Sequence, residues 1–262
     1  MEINKIYCES NLETMKRMPD NFVDLVITSP PYDNLRNYNG YSFPFEDIAK
    51  ELFRIINKGG VCVWVVGDSV IDGSETGTSF KQALFFKEIG FNIHDTMIYQ
   101  KDVMPFPEQT RYNQCFEYMF ILSKDKPKTF NAIKEKTQGY KPSKSSTTRN
   151  SDGSTSRLKF VQGKEERSLF NIWKFGCGYN KTTNDKIAFK HPAMFPEELV
   201  KKHIYTWTNK NDLVYDCFMG SGTTAKMAHL QNRNWIGSEI SKEYVDIANK
   251  RLQPYLDQQT LF

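Results

Sequence analysis

The chain has 262 residues, a net charge of +4 and five cysteines, a length that fits one full α/β domain with an elaborated insertion and not two large domains. Cys8, Cys62, Cys115, Cys177 and Cys217 form no C-x-x-C pair and the four histidines no H-x-x-x-H spacing, so no metal centre or disulfide framework is expected and the thiols read as reduced, in a cytoplasmic protein. No apolar run approaches the ~20 residues of a membrane span, and the first thirty residues carry no secretory pattern.

Short buried strands are predicted at about 3–8 and 22–28, with a helical stretch around 12–18 between them. The second strand, Phe22-Val23-Asp24-Leu25-Val26-Ile27, runs directly into Thr28-Ser29-Pro30-Pro31-Tyr32. Both prolines have fixed φ and no N–H, so this turn is stiff and its carbonyls point outward. Ser29 Oγ and the Pro30 carbonyl then offer acceptors to one exocyclic amino group, while Tyr32 offers a flat stacking surface. That is a pocket for an amino-bearing nucleobase. The plainer alternative is a strand-ending Pro-Pro turn with a packed tyrosine.

Residues 45–56 read as a helix, because Phe45, Ile48, Ala49, Leu52, Phe53 and Ile56 recur at three- and four-residue spacing. Lys58-Gly59-Gly60 is its expected stop. Residues 61–66 form a continuous apolar run, as in a central parallel strand. Asp68 follows, either facing a cofactor or ending the strand. A second amphipathic helix is predicted at 78–89, with strands at 91–100 and 116–122. From 124 to 167 the chain carries a net +7, so the remainder is slightly acidic. Within it, 141–153 has almost no apolar content and no period, and reads as a mobile loop. Lys141, Lys144 and Arg149 are its candidate phosphate contacts; a solvated basic loop is the alternative.

Further helices are predicted at 197–205 and 242–252. Between them, Asp212-Leu213-Val214-Tyr215-Asp216 reads as a strand, Cys217 to Gly222 as a turn, 223–230 as a helix, and 235–240 as a strand ending near Glu239. Gly220 and Gly222 permit a tight turn and close ligand approach, and the helix start presents free N–H groups. Glu239 is placed to accept bonds from ribose hydroxyls. The loop lacks G-x-G-x-x-G spacing, since the third position falls on Ala225. Asp216 before the turn disfavours a pyrophosphate and suits a cationic cofactor. A nicotinamide or flavin cofactor and a purely structural βαβ unit are the competing readings, and Thr223 and Thr224 either cap the helix or touch a ligand. Alternating helices and apolar strands imply an α/β three-layer sandwich.

Ser29-Pro30-Pro31-Tyr32 resembles motif IV, and Phe218-Met219-Gly220-Ser221-Gly222 motif I, of the S-adenosylmethionine-dependent DNA amino-methyltransferases, in the order of their permuted β group. Gly59 to Val66 resembles the next strand of the catalytic half, His191-Pro192-Ala193-Met194-Phe195-Pro196 motif X, and Glu239 with Tyr244 motif II. Glu9-Ser10 departs from the family, which often has Gly-Asp there. The resemblance implies a Rossmann-like fold whose mostly parallel sheet has seven strands, one of them antiparallel. It implies a catalytic half (1–122), a basic target-recognition insertion (123–185) and a cofactor half (186–262). Ser29, Pro30, Pro31 and Tyr32 would be catalytic; Thr28, His191, Asp216, Phe218, Gly220, Ser221, Gly222, Thr223 and Glu239 would hold S-adenosylmethionine. The partner would be double-stranded DNA, methylated on N4 of an extruded cytosine or, alternatively, on N6 of adenine; serine in the first motif position resembles the N4-cytosine enzymes. Arg36, Tyr38 and Tyr41 would belong to a lid beside that base. An RNA methyltransferase and a non-catalytic nucleic-acid-binding protein stay open, as do a homodimer and a companion restriction endonuclease.

Overall fold

The computed structural model describes residues 1–31, 43–102, 110–137, 146–158, 165–178 and 181–258. In chain order the elements are β1 (Lys5–Cys8), α1 (Asn11–Lys16), β2 (Val23–Thr28), α2 (Phe45–Ile55), β3 (Ile56–Val66), β4 (Val70–Ile71), β5 (Ser74–Glu75), α3 (Thr78–Glu88), β6 (Asn92–Asp102), β7 (Phe116–Ser123), β8 (Lys134–Lys136), β9 (Ser146–Arg149), β10 (Thr155–Leu158), β11 (Glu166–Ser168) and β12 (Ile172–Gly176). A 3₁₀ turn (Lys186–Lys190) precedes α4 (Glu197–Trp207), β13 (Leu213–Asp216), α5 (Thr223–Leu230), β14 (Asn234–Glu239) and α6 (Lys242–Gln258). They form two units, one from the described parts of Met1–Asn131 and Asn171–Phe262, the other Ala132–Phe170.

In the larger unit the sheet order is β1-β14-β13-β2-β3-β7-β6-β12. Every pairing is parallel except those of β7 with β3 and with β6. The single antiparallel strand is therefore as expected, but the sheet has eight strands and not seven. The additional one is β12, on the edge beside β6. It alternates buried Trp173 and Phe175 with outward Ile172 and Lys174, a period of two that packs one face only. Because β12 belongs to the main sheet, the smaller unit is narrower than the expected insertion over 123–185. Helices α1, α2 and α3 pack together, as do α4, α5 and α6, so β2 and β3 are covered on both sides. Leu25, Val26, Ile27 and Val61 to Val66 are accordingly buried without alternation.

Lys58-Gly59-Gly60 does not end α2. The helix stops at Ile55, Ile56 turns extended (φ −70°, ψ 134°), and β3 runs straight through both glycines. Gly59 takes φ +75°, and a Cβ on Gly60 would lie 2.9 Å from Asn57 O and 3.0 Å from Asp24 O. The pairing of β2 with β3 shifts register between Val23 and Leu25 here. The glycines thus mark an irregularity in the sheet where two backbones approach closely.

The smaller unit holds two antiparallel pairs, β8 with β11 and β9 with β10. Part of the segment expected as an aperiodic loop is therefore a hairpin, closed by a turn in which Asp152 Oδ1 accepts from Ser154 N at 2.9 Å and Gly153 has φ +84°. Leu158 apart, the residues of both strands are polar, so no hydrophobic period announces them.

His203 on α4 is buried beside Trp173, with ring centroids 4.7 Å apart, and its Nδ1 accepts from Trp207 Nε1 at 3.3 Å. Burial lowers its pKa to about 3. Because the folded value lies below the unfolded one of about 6.5, the unfolded chain binds the proton first. The stabilising contribution is complete above that pH and declines as pH falls toward the folded value. His203 is expected to keep neutral-imidazole NMR shifts at pH 5; a protonated ring at that pH would contradict the placement.

Candidate active site

The carboxyl ends of β2, β13 and β14 lie side by side, with Tyr215 opposite Val26 and Asp216 opposite Gly237. This register brings the end of β2 beside the start of the glycine loop. Asp216, 3% exposed, joins them. Its Oδ1 accepts from Thr28 Oγ1 at 2.7 Å and from Phe218 N at 3.0 Å, and its Oδ2 from Thr224 Oγ1 at 2.6 Å. Burial raises the pKa of this carboxyl, and the bonds from Thr224 and Thr28 oppose the rise. Asp216 and Thr28 were both expected to line the cofactor. In the structure their side chains bind each other in the interior, because the strand-end register points one at the other.

The loop after Asp216 follows β14. Met219 N donates to Ser238 O at 2.9 Å, and the Met219 side chain lies where a Cβ on Gly237 would stand. Gly220 (φ +52°) donates its N–H to Glu239 Oε2 at 2.9 Å, while Glu239 Oε1 accepts from Ser241 N at 2.8 Å. Burial raises the pKa of Glu239, against these two backbone bonds. Gly222 (φ +80°) precedes α5 and packs on Ala248, where a Cβ would meet that of Ala248 at 3.0 Å. The His191 ring covers Gly220, and Tyr244 meets it with ring centroids 4.3 Å apart. Phe218 packs edge-on to Phe43 at 5.7 Å.

This set of groups fits the cofactor that the resemblance implies. Each Glu239 oxygen takes one backbone N–H and keeps a second lone pair for a sugar hydroxyl. The glycine loop allows close approach, and the nearest carboxylates suit a positively charged donor better than a pyrophosphate.

Neither Thr223 nor Thr224 caps α5, whose cap position is Gly222. Thr224 bonds to Asp216. Thr223 Oγ1 accepts from Arg251 Nη1 at 2.9 Å, and that arginine, 2% exposed, was not foreseen. Its Nη1 also reaches Ser221 O at 3.0 Å and Ser221 Oγ at 3.3 Å. Its Nε donates to Asp185 Oδ2 at 2.7 Å, and its Nη2 to Glu197 Oε1 at 2.6 Å and Thr183 Oγ1 at 3.2 Å. Lys226, buried on α5, shares both acids at 2.8 and 2.7 Å, and Tyr255 Oη donates to Asp185 Oδ1 at 2.8 Å. Burial would raise the pKa of Asp185, but bonds from Arg251, Lys226 and Tyr255 bring it below its ordinary value.

Ser29 and Pro31 are half-buried at the end of β2, and Pro30 is buried. Tyr32, Arg36, Tyr38, Tyr41, Lys141 and Lys144 lie outside the described residues, while Arg149 is exposed on β9. At the departure from the family pattern, Glu9 is engaged by Arg17 and Thr14. Nearby Asn11 Nδ2 donates to Cys217 O at 3.2 Å, a link across the two halves that sequence reasoning missed. Asp68 accepts from Ser79 N at 2.9 Å and Thr76 Oγ1 at 3.2 Å, and so fixes the start of α3. Burial pushes the Cys217 thiol well up, which leaves it no thiolate character. Among the described residues no cluster of three or more His, Cys, Asp or Glu is arranged to hold a metal ion, and no helix is long and apolar enough to cross a membrane.

A glycine loop and a terminal acid at the strand ends of a mostly parallel sheet are the arrangement of a nucleotide-cofactor enzyme, and comparison with known proteins gives the class. The model of a DNA methylase family, covering N6- and N4-methylating enzymes, matches residues 23–250, and the chain belongs to that family. It is 58% identical over 238 residues to the orphan methyltransferase M.BamHII of Bacillus amyloliquefaciens, spanning 89% of this chain and 90% of that protein. It is 28% identical to the type II methyltransferase M.BglII of Bacillus subtilis, over 99% of this chain and 72% of the other. Among solved structures, the cytosine-N4-specific PvuII DNA methyltransferase superposes with a TM-score of 0.69 at 22% identity, covering 94% of this chain and 85% of that one. The complex of M1.HpyAVI with S-adenosylmethionine superposes with a TM-score of 0.60 at 27% identity, covering 95% and 99%. The protein is a DNA methyltransferase of the N6/N4 family, and S-adenosylmethionine is its methyl donor.

Replacing Asp216 with alanine leaves two hydroxyls and one N–H without their acceptor inside the protein. Asp216→Ala is expected to lower the unfolding free energy by about 3 kcal/mol or more in urea titrations. A loss under about 0.5 kcal/mol would show that the bridge does not hold the two segments.

Proposed function

We propose that the chain methylates the exocyclic N4 of cytosine in double-stranded DNA, acting on a base turned out of the helix. The observation that carries this reading is Ser29, first residue of the Ser-Pro-Pro-Tyr turn, set one position beyond the buried Thr28–Asp216 bond. With Thr28 engaged internally, the next acceptors at the strand end are the Ser29 hydroxyl and the Pro30 carbonyl.

S-Adenosylmethionine, when bound, supplies an electrophilic methyl on a sulfonium. Ser29 Oγ and Pro30 O would accept the two amino hydrogens of the target base. That shifts its nitrogen toward sp³ and orients the lone pair, which ring conjugation otherwise withdraws. Tyr32 would stack on the base and offset part of the few kcal/mol of unstacking. Glu239 would hold the ribose of the donor, with Phe218, Gly220, Ser221, Gly222, Thr223 and His191 around it. No side chain forms a covalent bond, so the rate comes from positioning and fixed dipoles.

Arg36, Tyr38 and Tyr41 would contact DNA beside the extruded base. Lys141, Lys144 and Arg149, in the basic stretch, would contact phosphates and make binding salt-dependent. The 58% identity to a protein named an orphan methyltransferase supports action in the cytoplasm without a dedicated restriction endonuclease.

DNA treated with the enzyme and donor, digested to nucleosides and analysed by mass spectrometry, should contain N4-methylcytosine; N6-methyladenine alone would overturn the base assignment. Tyr32→Ala is expected to slow methylation roughly 10- to 100-fold while donor affinity stays unchanged. Equal loss of both would contradict a base-stacking role.

A further inference from the structure

We propose that Arg251 is a positioning residue for methyl transfer: through one guanidinium it fixes the Ser221-Gly222-Thr223 turn in the shape that receives the donor. The inference rests on the reading that the 216–224 loop is the donor site. It goes beyond that reading by assigning the loop's conformation to a residue on α6 that touches neither donor nor base.

Three features carry it. Gly222 sits at φ +80° immediately before α5, a conformation that glycine adopts freely and that therefore leaves the turn loose unless something outside it fixes the geometry. Arg251 contacts both neighbours of that glycine, Ser221 through its carbonyl and hydroxyl and Thr223 through its hydroxyl. The same guanidinium is anchored from behind by Asp185 and Glu197, so it cannot turn away from the loop without leaving two half-buried acids with Lys226 as their one remaining cationic partner among the described residues. A planar fork with five donors can serve both sides at once; an ammonium cannot. The charges balance, two cations against two carboxylates, so the cluster positions the loop without adding a field that would repel a cationic donor.

Lysine at 251 keeps the charge and reaches the acids but cannot also span Ser221 and Thr223. Arg251→Lys is expected to weaken binding of S-adenosylmethionine about tenfold in calorimetric titration. The kcat at saturating donor should stay within about threefold, and the KM for DNA should not change. Tyr255→Phe removes a bond to Asp185 but none to the loop. It should lower the melting temperature and leave donor affinity unaltered. Circular dichroism at the assay temperature establishes that both variants are folded.

Unchanged donor affinity in Arg251→Lys overturns the proposal. An equal fall in affinity in both variants also overturns it, because the cluster would then act only through stability. Glu239→Gln separates the two levels. If it weakens donor binding and Arg251→Lys does not, only the role of Arg251 fails. If Glu239→Gln leaves donor binding intact, the loop is not the donor site, and both readings fall.

Discussion

The site depends on one buried carboxylate. Asp216 lies among apolar strand ends, where an ionised acid without partners would be costly. Three donors make it tenable: the Thr28 and Thr224 hydroxyls and the Phe218 N–H. Those donors come from the end of β2, the start of α5 and the turn between β13 and α5. The condition that stabilises the charge is therefore also the condition that joins the end of β2 to the glycine loop. Neither motif has its working position without the other. Thr28 and Asp216 are 188 residues apart in sequence, yet the sheet register leaves them little choice of partner.

Below this bridge lies a second polar layer of different character. The first uses neutral donors around one acid; the second balances Arg251 and Lys226 against Asp185 and Glu197. Buried ion pairs contribute little net stability once desolvation is counted, so their value here is geometric. They connect the segment before α4, the face of α5 and the middle of α6 to one loop. Methyl transfer without a covalent intermediate, as proposed above, relies on fixed geometry, and a loop braced from two sides suits it.

Much of this architecture could be read from the amino-acid order, and the exceptions have physical reasons. The apolar runs at 22–28 and 61–66, the spacing of Ile48, Ala49 and Leu52, and the Gly220–Gly222 turn each state their structure locally. Gly59 and Gly60 misled because glycine serves helix ends and strand irregularities alike, and only the neighbouring Asp24 carbonyl distinguishes the two. The eighth strand was hidden inside the segment expected as the insertion, although Trp173 and Phe175 alternate correctly. The polar hairpin of β9 and β10 has no hydrophobic face to reveal it. Motif matching named candidate residues but not the directions of their side chains: Asp216 and Thr28 bind each other in the interior. Arg251 was invisible, since an arginine within an amphipathic helix looks like surface until its partners on other elements are known.

The order of the strands sets a temporal constraint on synthesis. Among the described residues β1 pairs only with β14, and the inner edge of β2 is completed only by β13. Both partners emerge from the ribosome long after the strands they complete. At about 5–20 residues per second, the gap between Thr28 and Asp216 corresponds to roughly 10 to 40 s during which a strongly apolar strand waits with one edge open. Nascent copies on neighbouring ribosomes offer one another that same edge, so a helper that shields extended apolar segments would matter most for this polypeptide while it is still being made.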